Sequence, residues 1–460
     1  MLFNAVIVYL FCTVGIGLLA SRLVSNSRDY VNAGRRLPLV ISSAALFALW
    51  FGSETLFGAT SAFLEGGVLG IIEDPLGGVL CLMLFGAVFA RRLYRMNLLT
   101  LGDLFRKVYG PRIELLASCF MLITFFGYIA AQLVALGLLL QLLAGMSLGQ
   151  GIVVSAIVVG IYTMAGGMWA ISITDFIQGI IIVAGLIWVA YLLMNRAGGW
   201  EAVIAGAPEG HFNILPEAKP LPWLHYLAAW MTLGLGSLPS QDIFQRMNAA
   251  KNERVAVRSF YLGGFLYLLI AVVPIFMVLA ARQLYPHLLA GDMQQFLARV
   301  VQESMPLGVQ VIFFGALLSA IFSTCSGAIL APASILAENV VRPLLRTPLS
   351  DNYFLWLLRI AVVLLTALAC VMALVRHNIF ALVAESSLLG LVTLLVPMYW
   401  AVFHPQKASS RGAALAMCLG FFAWWLSEYA LHTAIPPLLI GFSISMAGMW
   451  LGNLRAPDVR

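Results

Sequence analysis

Apolar stretches long enough to cross a bilayer recur along this whole chain, with only short polar connections between them. A membrane helix needs about 20 predominantly apolar residues, and within hydrocarbon every backbone polar group must be paired inside the protein. Thirteen stretches meet the length condition, near residues 3–21, 38–65, 71–93, 113–144, 148–166, 170–194, 223–245, 256–281, 307–340, 354–375, 379–403, 411–431 and 434–454. Composition agrees: 62% of the residues are hydrophobic and 10% charged, against about 45–50% and about 25% in soluble domains. The expectation is an all-α polytopic membrane protein of about 13 transmembrane helices. The first stretch lacks a basic n-region and its apolar run is too long for a signal peptide, so it reads as a retained span. The six cysteines lie in apolar segments without metal-like spacing and read as small core residues.

Basic residues orient the chain. With the N-terminus outside, only Arg196, Lys219, Arg282, Arg299 and Arg376 of the 26 Lys and Arg fall on the outer side. The other twenty-one, among them Arg91, Arg92, Arg95, Arg246, Arg346, Arg455 and Arg460, fall inside. This is a strong positive-inside bias, and shifting the frame by one span scrambles it. It predicts a cytoplasmic C-terminus and a multi-pass protein of the plasma membrane (the inner membrane if bacterial). The net charge of +6 is accounted for by topology and does not call for a nucleic-acid partner. Membrane lipid and a small-molecule solute are the expected partners; oligomeric state is not legible. Asn97–Gly110 and His287–Gln302 read as amphipathic surface helices. No Walker motif is present, so ATP-driven pumping has no engine here, and nothing points to an enzyme.

Leu307 to Glu338 is apolar enough to span, yet Ser319, Ser323, Thr324 and Ser326 are interleaved there with Ala316, Ala320, Gly327 and Ala328. On a helix Ala320, Ser323 and Thr324 share one face. Two hydroxyl oxygens beside a small residue can ligate a hard monovalent cation such as sodium. The alternative is close helix packing, with the hydroxyls bonded back to their own helix.

Two spans read as broken. The second places Gly52, Ser53, Glu54 and Thr55 at mid-membrane depth, and the seventh packs Gly234, Gly236 and Pro239 into one short run. Unwound backbone persists at that depth only where protein buries it or a cavity meets it. A Gly/Pro-interrupted pair at matching positions points to an inverted repeat, here spans 2–6 and 7–11. Ordinary kinking is the other reading.

Tyr162 to Ala170 (YTMAGGMWA), followed by Thr174-Asp175-Phe176-Ile177-Gln178, resembles the signature of the sodium:solute symporter family. Asp29 to Pro38 (DYVNAGRRLP) is similar to that family's first inner loop, and Ala320 to Ser326 (AIFSTCS) to its sodium-site helix. The resemblance covers nearly the whole chain. It implies a leucine-transporter-type core over 38–403, one extra span at 3–21 and two more at 411–454, all within a single transporter domain, 1–460. It implies sodium as the coupling ion, held by the carbonyls of Ala48, Phe51 and Ala320 and the hydroxyls of Ser323 and Thr324. Asp175 matches an acidic residue tied in the family to sodium release or a second sodium; a helix N-cap is its other reading.

The same resemblance implies sodium-coupled import of a small organic solute by alternating access. Its choline and proline branches are the nearest in motif. Trp50 stands where the choline transporters carry Trp, Tyr128 where they carry another aromatic residue, and Leu238-Pro239-Ser240-Gln241 is again similar to theirs. Trp50, Glu54, Tyr128, Ser240 and Gln241 are the candidate substrate residues. Aromatic faces hold a quaternary ammonium by cation–π attraction, with Glu54 balancing its charge. Ser240, however, replaces a further Trp of that aromatic box, Trp50 is equally a core residue, and a zwitterion such as proline is the rival substrate, its carboxylate meeting N–H groups at a helix break. Symporter-like modules also serve as sensors without sustained flux; a chain ending at Arg460 with no kinase-like extension favours the transporter.

Overall fold

Every residue from Phe313 to Ile335 is buried. A helix that is apolar all round belongs inside a bundle, and the other elements surround this one. The computed structural model describes residues 2–345 and 350–454. In chain order these form α1 (Leu2–Ala20), α2 (Ser27–Asn32), α3 (Leu39–Trp50), α4 (Glu54–Gly70), α5 (Ile72–Arg95), α6 (Leu101–Tyr109), α7 (Pro111–Ala144) and α8 (Leu148–Arg196). There follow α9 (Pro220–Gly236), α10 (Gln241–Ala249), α11 (Glu253–Leu284), α12 (Phe296–Ser304), α13 (Leu307–Leu344), α14 (Asp351–Val375), α15 (Ile379–Phe403), α16 (Ser410–Tyr429) and α17 (Pro437–Leu454).

Among the described residues, eight helices are by themselves long and apolar enough to cross a membrane, and the bent pair α3–α4 makes a ninth. The thirteen stretches counted in the sequence also include α1, the broken pair α9–α10 and α16, and they take α8 as two spans. The structure supports that division of α8. Gly167 sits at φ 54°, ψ −161°, outside helical geometry. The hydroxyl of Tyr162 lies 2.9 Å from that of Thr174, although twelve helical residues would separate them by about 18 Å. The chain therefore folds back at Gly167, whose missing Cβ leaves room for the Tyr30 ring and carbonyl of α2.

The two broken spans are also present. Between α3 and α4 the axis turns by 49°; between α9 and α10 the chain leaves helical form at Ser237–Ser240. Both breaks pack against elements of the opposite half: α3 against α11, α10 against α3, and α9 against α5. The lipid side is carried by exposed apolar residues such as Ile157, Ile161, Ile187, Phe265, Leu269, Val363 and Val371.

Of the remaining sequence expectations, the first holds and the others are corrected. The inner amphipathic segment is helical over α6, with a reciprocal cap between Thr100 and Asp103. The outer one starts its helix only at Phe296, after 3-10 turns, because Asp292 caps the turn before it. Arg246, counted with the inner loop cations, is 2% exposed inside α10. Arg346, Arg455 and Arg460 lie outside the described residues.

Candidate functional site

The site begins with backbone that the α3–α4 break leaves without helical partners. Phe51 ends α3 at φ −90°, ψ 73°. A helix end orphans its last carbonyls, and here side chains from four other places supply the donors. Ala48 O accepts from the Thr324 hydroxyl at 2.8 Å, and Ala45 O, more than a turn inside α3, takes Arg246 Nε at 2.9 Å as a further donor. Leu49 O accepts from the Tyr128 hydroxyl at 3.0 Å, and Trp50 O from the Thr55 hydroxyl at 3.0 Å. On the other side of the break the Ser53 N–H donates to Gln132 Oε1 at 3.2 Å. The break is thus a set of oriented oxygens held from α4, α7, α10 and α13.

Thr324 and Ser323 both leave their own helix. Thr324 reaches Ala48 on α3, and Ser323 donates to Asp175 Oδ1 on α8. Ser326, by contrast, bonds back to Ser323 O at 2.8 Å, so back-bonding describes that hydroxyl and not the other two. Ala320 lies one turn earlier, 1% exposed. Phe51 stacks on Phe47 with ring centroids 5.2 Å apart. Asp175 lies well inside the second half of α8, eight residues beyond Gly167, which removes the N-cap reading. Its Oδ2 faces Arg246 Nη2 at 3.8 Å, with both side chains buried. Sequence reasoning missed Arg246 because a basic residue after a span reads as loop. Its position on the short helix between the Pro239-containing break and the next span was the available signal. Asp175 Oδ2 and Arg246 Nη1 and Nη2 have no hydrogen-bond partner among the described residues. Neutral oxygens with one carboxylate suit a hard monovalent cation; no cluster of three His, Cys, Asp or Glu is present among the described residues.

Beside this patch lies a partly open cavity with about 580 Å³ of atom-free space, its open mouth included. Trp50, Glu54, Tyr128 and Ser240 line it, together with Phe125 and Asp242, which sequence reading did not single out. Gln241 does not line it: its Oε1 accepts from the Leu101 N–H at 2.7 Å and ties α10 to α6. Glu54 is 2% exposed and accepts from Gln132 Nε2 at 2.8 Å. Asp242 accepts from the Ser240 hydroxyl at 2.5 Å. Behind Trp50, Tyr267 donates to Asp74 Oδ1 at 2.6 Å and its ring lies 6.1 Å from the indole. The wall therefore presents two carboxylates and three aromatic side chains, and no Lys, Arg or His. Glu385, a further acid of the spans, is paired with Arg376 through two contacts of 2.5 Å.

The profile of the sodium:solute symporter family matches residues 30–420. The human high affinity choline transporter 1 is 25% identical over 439 residues, 91% of this chain and 75% of that protein. The Drosophila melanogaster high-affinity choline transporter 1 is 26% identical over 452 residues, 95% and 72% of the two chains. Among solved structures, a Na+-coupled sialic acid symporter in a substrate-bound outward-open state superposes with a TM-score of 0.84 at 18% identity, over 99% of this chain and 98% of that one. A nucleobase-cation-symport-1 family transporter in a closed conformation gives 0.65 at 14% identity, over 95% and 98%. These two likenesses show the fold. The profile match, running from the first inner loop through both helix breaks to α16, shows that the chain belongs to the sodium:solute symporter family and is a sodium-coupled importer of a small solute, not an enzyme.

Proposed function

We propose that the cavity takes a small organic cation of the choline-like, quaternary-amine type. One observation carries this reading: the wall offers Glu54, Asp242 and the faces of Trp50, Phe125 and Tyr128 to whatever binds, and no basic side chain. A carboxylate at membrane depth is costly without a counter-charge, and a quaternary ammonium supplies one while its methyl groups meet aromatic faces by cation–π attraction. The similarity to high-affinity choline transporters agrees in kind. A carboxylate-bearing solute such as proline would meet two like charges here.

On this reading the coupling sodium binds at Ala48, Phe51, Ala320, Ser323 and Thr324, with Asp175 serving its release or a second ion. The observation in favour is the approach of Thr324 to Ala48 O beside the Ser323–Asp175 contact. Residues 38–403 form the moving core of one transport unit, 1–460, in the plasma membrane with the N-terminus outside. For a cationic solute the membrane potential acts on two charges. At ~100 mV and a tenfold sodium gradient that is about 6 kcal/mol, or accumulation by roughly four orders of magnitude.

The test is uptake into proteoliposomes under an inward sodium gradient, with radiolabelled choline and proline compared. Sodium-dependent choline uptake, competed by other quaternary amines and not by proline, is expected. Proline uptake without any response to quaternary amines would overturn the cation reading and leave sodium coupling standing.

A further inference from the structure

On the lipid side of the bundle, away from the substrate, a groove with about 1020 Å³ of atom-free space, its open side included, runs between α5, α9, α15 and α17. Val88, Phe89, Leu235, Leu238, Tyr399 and Met446 are among its walls. Val88, Tyr399 and Met446 are 38%, 43% and 46% exposed, so the groove opens sideways to the hydrocarbon. Apolar walls do not hold ordered water, so a groove of this kind suits an acyl chain.

One end of the groove is marked by charge. Arg92 follows Val88 by four residues on α5 and so lies on the same face one turn further along. Its guanidinium sits 4.2 Å from the centroid of the Phe403 ring. That ring packs edge-on against Phe89 at 5.5 Å and stacks on Tyr399 at 4.9 Å, both of them groove residues. The neighbouring Arg91 and Arg95 are both paired with Glu253. Arg92 is exposed and has no carboxylate within ion-pair distance among the described residues. An uncompensated cation on the same surface as an apolar groove is the complement of an anionic phospholipid, and basic sites between membrane helices bind such headgroups.

We propose that this groove binds one anionic phospholipid, its phosphate on Arg92 and an acyl chain along Leu235 and Leu238. The seat has a consequence for transport. Gly236, Ser237, Pro239 and Ser240 of the α9–α10 break line the substrate cavity, while Leu235 and Leu238 of the same run line the groove. Leu394 and Leu395 divide in the same way between the two. The lipid chain therefore backs the break on which the substrate wall is built.

The experiment uses the full chain in detergent, titrated with phosphatidylglycerol or phosphatidylcholine, with bound lipid counted by native mass spectrometry and the unfolding midpoint followed in parallel. One phosphatidylglycerol is expected to persist on the wild type and raise its midpoint, with phosphatidylcholine much weaker. Arg92→Gln should weaken phosphatidylglycerol roughly fivefold, as expected for one basic residue. Met446→Trp, which fills the groove from the far wall, should remove both the bound lipid and the midpoint rise. Equal binding of the two lipids, or unchanged phosphatidylglycerol binding in both variants, would overturn the proposal.

Discussion

At the scale of single residues, two hydroxyls carry the sodium reading and can be removed one at a time. Thr324→Ala deletes the donor to Ala48 O, and Ser323→Ala deletes the contact to Asp175. Alanine suits a membrane helix, so both variants should fold. The sodium concentration for half-maximal uptake is expected to rise roughly tenfold in each, about 1.4 kcal/mol, with the substrate KM at saturating sodium changing much less. Thr324→Ser should be mild. Unchanged sodium dependence in both alanine variants would make the patch a packing contact. Trp50 is judged differently. If the indole meets the substrate, Trp50→Ala should raise KM strongly while Trp50→Phe keeps an aromatic face and much of the affinity. Equal loss in both, with poor expression, would assign Trp50 to packing against Tyr267 and Gly78. Arg246 and Asp175 answer to stability. Arg246→Met leaves a buried carboxylate without its cation and should cost about 3–5 kcal/mol. Adding Asp175→Asn should restore most of the unfolding midpoint without restoring wild-type sodium dependence. A double variant no more stable than the single one would show that the 3.8 Å pair carries little of the fold.

At the scale of elements, the turn in α8 is the most demanding feature. Gly167 needs a positive φ, and a Cβ there would come within 2.6 Å of the Tyr30 ring. A side chain meets both backbone strain and a clash with α2, each of order 1–3 kcal/mol. Gly167→Ala is therefore expected to abolish the monodisperse peak in fluorescence-detected size exclusion; a normal peak with wild-type uptake would mean the fold-back tolerates a helical residue. The α3–α4 break works the other way, since its irregular backbone is supported from outside by Arg246, Thr324, Tyr128 and Gln132. Local sequence marks such a break through Gly52 and the polar run after it. The partners that make it permanent are scattered over the chain and carry no local signal.

At the scale of the whole molecule, orientation remains the direct test of the charge pattern. The fold-back at Gly167 puts the two ends of α8 on one side of the bundle, the side where α7 ends and opposite to where α7 begins. With the N-terminus outside, Glu201→Cys is expected to react with an impermeant maleimide in intact cells and Arg112→Cys to be spared. The reverse pattern would invert the frame. Reciprocity supplies a second whole-molecule check: the factor by which sodium raises substrate affinity must equal the factor by which substrate raises sodium affinity.

The sequence by itself determined the membrane class, the two breaks, the family motifs and the hydroxyl pair, because each is written in contiguous residues through hydropathy, Gly and Pro placement, or helical spacing. It also named three of the five cavity residues on which the substrate reading rests. What only the tertiary structure decided is how distant residues meet. Asp242 and Phe125 enter the cavity wall, Gln241 turns away to hold α6, and Arg246 leaves the count of loop cations to face Asp175 inside the bundle. Each of those outcomes depends on which side of a helix faces which neighbour. In a chain whose spans are apolar on nearly every side, helical periodicity carries little of that information, and packing settles it.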